Sequence, residues 1–247
     1  MEPYWLSVEH VKLSSTKLAK GHFLRLVQIS DLHCDPEKRL EDKLPLAISA
    51  EKPDAILFTG DAINSAAGLQ NFRQCLTRLA SIAPTFVVKG NWDAWYFKDS
   101  DRFGGTGAVE LDSKAVPLIV RGSKILIAGL PVGTKQSVRE TVANTSPDLY
   151  RIFLYHYPDY IEEMARNNID LYLAGHTHGG QVALPFYGAL VTLAATGKKY
   201  ESGLHQLGTT YIYTNRGIGM EGGRAPRVRF CARPEVTVLD IAGAGER

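Results

Sequence analysis

Residues 169–181 read IDLYLAGHTHGGQ. An apolar run, LYLA, stops at a glycine, and two histidines two positions apart follow it. The run predicts a buried strand. Gly175, Gly179 and Gly180 permit tight turns and a close backbone approach to a ligand. Upstream, PDYIEEMARNN (158–168) reads as a helix with proline near its start. It is preceded by RIFLYH (151–156), a strand that ends on His156. Strand, helix and strand, with polar residues just past the strands' carboxyl ends, is the pattern in which open α/β sheets place their sites.

The amino-terminal half repeats the pattern. FLRLVQIS (23–30) runs into Asp31 and His33. DAILFTGD (54–61) ends on Gly60-Asp61, and PTFVVKGN (84–91) ends on Gly90-Asn91. Leu69, Phe72, Leu76, Leu79 and Ile82 fall at helical spacing and predict an amphipathic helix over 69–82. Residues 38–51 predict a short helix, and Pro45 argues for a late start. KAVPLIV and KILIAGL predict strands joined around Arg121-Gly122-Ser123-Lys124, and 136–144 a helix. GTTYIYTN and EVTVLDI predict further strands. Residues 5–13 and 22–30 alternate and are expected to pair as an amino-terminal hairpin. Residues 215–229 are expected to form a long loop and 242–247 a frayed tail. A single domain over 1–247 is expected.

The chain has 247 residues, 22% of them charged and 45% hydrophobic, which is ample for a sizeable core. A formal net charge of +2 is too near neutral for bulk nucleic-acid binding. Cys34, Cys75 and Cys231 form neither a metal motif nor a disulfide framework, so a reducing, cytoplasmic setting is expected, either free or in peripheral contact with the inner membrane. No signal peptide is visible, and no stretch approaches the roughly 20 apolar residues that span a bilayer.

Five strand ends thus deliver Asp31 and His33, Asp61, Asn91, His156, and His176 and His178. Four of the seven histidines lie in these segments. Each motif alone is weak, since an Asp at a strand end is usually a turn former and a His beside an apolar run is usually a core residue. All of them in register with five apolar runs are hard to explain as turns. Imidazoles, carboxylates and an amide without a thiolate suit borderline or hard divalent metals. In extended backbone, residues two apart share a face, which pairs Asp31 with His33 and His176 with His178 and turns Cys34 away.

In this order, Asp31-x-His33, Gly60-Asp61, Gly90-Asn91, His156 and Gly175-His176-x-His178 resemble the calcineurin-like metallophosphoesterases. GHTHGGQ and the ending NRGIG…RPEVTVLDI resemble the bacterial YkuE- and YaeI-like phosphodiesterase branch. A UDP-2,3-diacylglucosamine pyrophosphatase of lipid A synthesis is related to that branch. The resemblance implies two mixed β-sheets packed as a sandwich and flanked by helices, a four-layer α/β fold. It implies a dinuclear site with Asp31, His33 and His178 on one metal, Asn91, His156 and His176 on the other, and Asp61 bridging. Two divalent ions are implied, manganese first, with iron, zinc, cobalt or magnesium as alternatives. The implied reaction is in-line attack of a metal-bridging hydroxide on a phosphodiester or pyrophosphate. The implied substrate is a phosphate ester or nucleotide, either a small molecule or a lipid.

The sequence departs from the family at one position. GNWD (90–93) stands where the family usually has Gly-Asn-His followed by an acid. Indole can donate a hydrogen bond but cannot release a proton near neutral pH. A substrate with a good leaving group is therefore expected, with Trp92 and Asp93 among the catalytic residues. The opposing reading makes Trp92 a packing residue and looks to His205, Tyr157 or Lys89 for the proton. Trp95, Tyr96 and Phe97 suit an acyl or base pocket, a membrane contact, or packing on the core. Of Arg216, Arg224, Arg227, Arg229 and Arg233, Arg216 is the candidate for substrate, together with His205, and most of the other arginines are expected on a solvated face. A scaffold that kept the metal ligands but lost activity is the alternative of another class. A nuclease is disfavoured by the charge.

Overall fold

The computed structural model describes residues 2–221 and 227–245. In chain order the strands are β1 (Ser7–Ala19), β2 (Phe23–Ile29), β3 (Ala55–Phe58), β4 (Thr85–Val87), β5 (Val109–Glu110), β6 (Lys114–Val120) and β7 (Ser123–Gly129). They continue as β8 (Tyr150–Leu154), β9 (Leu171–Ala174), β10 (Ala183–Leu184), β11 (Gly188–Ala189), β12 (Gly203–Leu207), β13 (Thr210–Thr214) and β14 (Glu235–Gly245). The α-helices are α1 (Leu44–Glu51), α2 (Leu69–Ala80), α3 (Asn91–Trp95), α4 (Val138–Val142) and α5 (Ile161–Arg166). α1 starts late, as Pro45 requires, with the proline in its first turn.

Two six-stranded sheets result, in the orders β1-β14-β2-β3-β4-β5 and β12-β13-β9-β8-β7-β6. In the first, β2, β3, β4 and β5 run parallel, and in the second β13, β9, β8 and β7 do. Period-2 alternation sorts each strand between two cores. On β2, Leu24 and Leu26 join Leu57 of β3, Ile127 of β7 and Ile152 of β8 in the core between the sheets. Val27 and Ile29 of the same strand face the other way, against Ile48 of α1 and Phe72 and Leu76 of α2. On the far side, Leu126, Phe153 and Tyr172 pack against Val138 of α4 and Met164 of α5. The order is helices, sheet, sheet, helices. Gln28 is one polar exception between the sheets, and its amide donates across the gap to the Ala174 carbonyl at 2.8 Å.

Two expectations fail at the termini. Residues 5–13 and 22–30 do not pair with each other. β14 lies between them, parallel to β1 and antiparallel to β2. Its apolar residues Val236, Val238, Leu239 and Ile241 are buried on both faces, as a central strand demands. The tail expected from 242 onward is strand as far as Gly245: Ala242 pairs with Phe23, and Gly245 with Ala19. Residues 246 and 247 lie outside the described residues.

The parallel strands of both sheets end at the same edge of the sandwich. The segments after β2, β3, β4, β8, β9 and β13 meet there. Within each sheet neighbouring strand ends are tied together, Asp31 N–H donating to the Gly60 carbonyl at 2.8 Å and Gly175 N–H to the His156 carbonyl at 3.0 Å, and Gly219 N–H donates across the sheets to the Asp31 carbonyl at 2.7 Å.

Candidate metal centre

Five of the side chains proposed as ligands sit on left-handed backbone: Asp31 at φ 49°, His33 at 40°, Asp61 at 60°, His176 at 71° and His178 at 53°. This conformation is costly for residues with a Cβ and collects at functional sites. It also corrects the extended-backbone expectation. Asp31 and His33 become neighbours because the chain coils after β2, not because it alternates. Cys34 is turned into the core on the helix side of the first sheet.

Asp31, His33 and His178 offer ligand atoms that lie within 4.8 Å of one another, and so do Asp31, Asp61 and His156. Asp31 Oδ1 stands 3.3 Å from His178 Nε2 and 3.9 Å from His156 Nε2. Asp61 Oδ2 stands 3.6 Å from His33 Nε2 and 3.2 Å from His156 Nε2. Both carboxylates therefore reach toward two imidazoles. His176 lies beside His156, ring centroids 5.2 Å apart, with Nε2 3.4 Å from the Leu193 carbonyl. Asn91 starts α3, and its Oδ1 is buried with no hydrogen-bond partner.

The donor set fits divalent cations. Asp31 Oδ1, His33 Nε2 and Asn91 Oδ1 are buried without a hydrogen-bond partner, and His156 Nε2, buried beside them, faces only the Asp61 and Asp31 carboxylates. Buried polar atoms are rarely left unsatisfied unless something else fills the need. His156 donates from Nδ1 to the Thr59 carbonyl at 2.7 Å, which leaves Nε2 free as a ligand atom.

The electrostatics agree. Burial holds His33 down at about 4 and His176 at about 4, so both are neutral and able to ligate. Burial and the neighbouring His33 push His178 down too. Burial lifts Asp31 to about 7, with Asp61 adding to the rise. His156 goes the other way: burial opposes its charge, but Asp61 and Asp31 together raise it to about 9. Without metal it is the proton that balances the two carboxylates. Asp61 stays low despite burial because His156 and His33 face it.

Two glycines make the convergence possible. A Cβ on Gly60, at φ 106°, would lie 2.5 Å from Gly90 N and 2.9 Å from His156 Nδ1. A Cβ on Gly90 would strike the Asp61 carboxylate.

Above these groups opens a cleft of about 570 Å³, a size suited to a small molecule. Asp61, Asn91, His176 and His178 line its floor, and Asp31, His33 and His156 lie fully buried behind them. Trp92, Trp95, Tyr96, Tyr157, Tyr160 and Leu193 wall it. Trp92 packs edge-on against His33 with centroids 5.2 Å apart, and its side chain neighbours the Glu221 carboxylate. It is thus both packed and part of the wall. The Trp92 backbone N–H donates to Asp61 Oδ1 at 2.9 Å.

Other residues stand elsewhere. Asp93, expected among the catalytic residues, does not reach the cleft. Its buried carboxylate accepts from the N–H groups of Asp61 (2.8 Å), Ala62 (3.2 Å) and Gly90 (2.9 Å), and pairs with Arg102 Nε at 3.1 Å. It binds the loop after β3 to the loop after β4. Burial and nearby Asp61 raise it to about 6 against the pull of Arg102. Arg216, the substrate candidate, is taken up by Glu235 at 2.9 Å and Glu9 at 3.0 Å, away from the cleft. His205 lies on β12, with Nε2 3.0 Å from the Ser202 carbonyl, and Lys89 pairs with Glu110 at 2.8 Å. Tyr157 is the one suggested proton donor that lines the cleft, and burial raises its phenol to about 12.

Arg229 is not solvated. It is buried behind His178 and donates to the carbonyls of Arg216, Gly219 and Ala232. Arg233 donates to the Trp5 carbonyl at 3.1 Å, and exposed Arg227 pairs with Asp35. Arg224 lies outside the described residues. Glu221, missed by sequence reading, lines the cleft, and burial raises its carboxyl above the ordinary range. Its only sequence context is a glycine- and arginine-rich loop, which carries no signal.

The Asp93–Arg102 pair makes a stability prediction. Arg102→Met leaves a carboxylate buried without its counter-ion and should cost about 3–5 kcal/mol. In calorimetry that is a fall in Tm of roughly 10 °C. Adding Asp93→Asn to it should recover part of the loss. A Tm unchanged in Arg102→Met would show that the pair carries no weight.

The calcineurin-like phosphoesterase pattern matches residues 24–180 of this chain. The chain belongs to that family of metallophosphoesterases, which hydrolyse phosphoesters. It is 34% identical to the uncharacterized metallophosphoesterase YkuE of Bacillus subtilis over 98% of this chain and 87% of that one. It is 31% identical to the phosphodiesterase YaeI of Escherichia coli, over 97% and 90%. The UDP-2,3-diacylglucosamine pyrophosphatase LpxG of Chlamydia trachomatis is 25% identical, over 97% and 90%. The crystal structure of TT1561 from Thermus thermophilus shares the fold, with a TM-score of 0.52 over 80% of this chain and 91% of that one, at 13% identity.

Proposed function

We propose that this protein is a dinuclear-metal phosphohydrolase that cleaves a phosphodiester or pyrophosphate bond. The observation that carries this reading is the set of unpartnered buried ligand atoms on Asp31, His33 and Asn91, gathered with His156 and Asp61 under a cleft of small-molecule size. Asp31, His33 and His178 would hold one divalent ion, and Asn91, His156 and His176 the other, with Asp61 shared. When bound, the ions supply Lewis-acid polarisation of the phosphoryl group and a water acidic enough to attack it near neutral pH.

The chain's own residues do the remaining work. Thr59 fixes the His156 tautomer, and Asp93 holds the two loops that carry Asp61 and Asn91 at a fixed separation. Trp92 stands where the family's histidine stands, and it has no proton to give. Substrates whose leaving group is stable as an anion fit this wall better than alkyl esters do. A pyrophosphate of a lipid-linked nucleotide sugar, as the name of LpxG describes for that relative, is the second reading. The apolar cleft wall of Trp95, Tyr96, Tyr160 and Leu193 favours it.

A substrate panel with Mn²⁺ tests both readings: bis-p-nitrophenyl phosphate, an alkyl phosphodiester, UDP-sugars and a UDP-diacylated sugar. Turnover of the aryl diester or a pyrophosphate well above the alkyl ester is expected. Equal rates on aryl and alkyl esters contradict the leaving-group argument. Inactivity on every substrate by protein that has taken up metal would support the scaffold reading.

A further inference from the structure

Beside the cleft, the segment 182–200 carries a surface that no catalytic role explains. Leu184, Phe186, Tyr187, Leu190, Val191 and Leu193 are all exposed, and Phe186, at 112% of its reference area, touches almost nothing. The segment is nevertheless firmly held. β10 and β11 pair as a hairpin with Phe186 and Tyr187 in its turn. Leu190 N–H donates to the Val182 carbonyl at 3.2 Å, and the Thr192 hydroxyl to Gly197 at 2.9 Å. Thr196 donates its N–H and its hydroxyl to Asp159 at 2.7 and 2.6 Å. A braced segment that keeps large apolar side chains in water forgoes the stabilisation that burial would bring. Contiguous patches of that kind mark interaction surfaces.

The chemistry narrows the partner. Residues 182–200 contain Lys198 and Lys199 and no Asp or Glu. Glu201, the next residue, turns its carboxylate inward to the Ala189 N–H at 3.3 Å and stands 3.9 Å from Lys198 Nζ, a loose pair that leaves Lys199 as the freer cation. Lys198 Nζ lies 3.4 Å from the centroid of the Tyr187 ring, at the edge of the apolar strip. Along the strip itself only Tyr187 and Thr192 carry polar side-chain atoms, and the Thr192 hydroxyl is already spent on Gly197. A protein partner would pair an apolar centre like this one with a polar rim, and the rim here offers few side-chain hydrogen-bonding groups. A bilayer asks for none: it takes apolar side chains at the acyl boundary and cations at its headgroup phosphates. The strip is also continuous with the cleft, since Leu193 lines the mouth together with exposed Trp95 and Tyr96.

We propose that the 184–193 segment docks the protein on a bilayer containing anionic phospholipids. Phe186 and Leu190 enter the acyl boundary, Lys198 and Lys199 meet headgroup phosphates, and the cleft mouth lies at the membrane surface. This docking stands independently of which phosphate bond the cleft hydrolyses.

The test is flotation of the full chain with vesicles of phosphatidylethanolamine and phosphatidylglycerol, against vesicles of phosphatidylcholine alone. Flotation with the anionic vesicles and weaker binding to the neutral ones is expected. The double variant Phe186→Ser, Leu190→Ser should bind the anionic vesicles about tenfold more weakly or worse. Its turnover of soluble bis-p-nitrophenyl phosphate should stay at the wild-type level, which also shows that it folds. No flotation with either vesicle, or equal binding by the variant, overturns the proposal. So does a wild-type dimer in sedimentation velocity that the variant abolishes, because a second copy would then be what covers the strip.

Discussion

Asp61→Asn should remove activity and metal together. Asp61 Oδ2 faces both His33 and His156, so one side chain serves both halves of the cluster. The amide keeps the shape and can still accept the Trp92 N–H at Oδ1, and Asp93 still holds the Asp61 backbone. The fold should therefore survive, with a Tm close to wild type. What goes is the shared negative charge. Metal Lewis-acid action contributes several kcal/mol to such reactions, and each ~1.4 kcal/mol is a factor of ten. A loss of roughly 10³-fold or more in kcat is expected, with metal content falling by at least one ion per chain. Full occupancy by two ions in this variant would show that Asp61 does not bridge.

Trp92→His should change which substrates are cleaved more than how fast the good ones are. The imidazole would stand at the cleft wall near His33 and Glu221, where the indole stands now. General-acid help is worth roughly 10²–10⁴-fold when the leaving group needs a proton, and little when it does not. Hydrolysis of an alkyl phosphodiester should therefore rise by about 10² relative to bis-p-nitrophenyl phosphate. Trp92→Phe is the control: it keeps an aromatic wall without a donor and should keep the wild-type ratio. If Trp92→His and Trp92→Phe move both substrates alike, Trp92 serves the wall alone and the proton comes from another group.

The fold was legible wherever a strand announces its own end. LYLA before Gly175, and ILF before Thr59, combine an apolar run with a polar stop, and the parallel strands carry those stops to one edge. The insertion of β14 between β1 and β2 had no such signal, because a pairing between residues more than 200 positions apart leaves no local trace. For the site, spacing suggested Asp31 and His33 as a pair for the wrong reason, since the left-handed turns that bring them together cannot be read from residue types. Asp93 looked catalytic by motif and proved to be a brace, because its partner Arg102 comes from a stretch with no motif. Arg216 and Arg229 look alike in sequence. One is taken by Glu235 and Glu9, and the other is buried against backbone carbonyls.

The central claim is that this cleft holds two divalent ions on the side chains that converge beneath it. The most direct measurement is elemental analysis of the purified chain after loading with Mn²⁺ and removal of free metal, alongside His178→Ala and His156→Ala. Two ions per chain are predicted for the wild type, with occupancy reduced in each variant. A wild-type chain that retains none, or variants that retain as much as wild type, would contradict it.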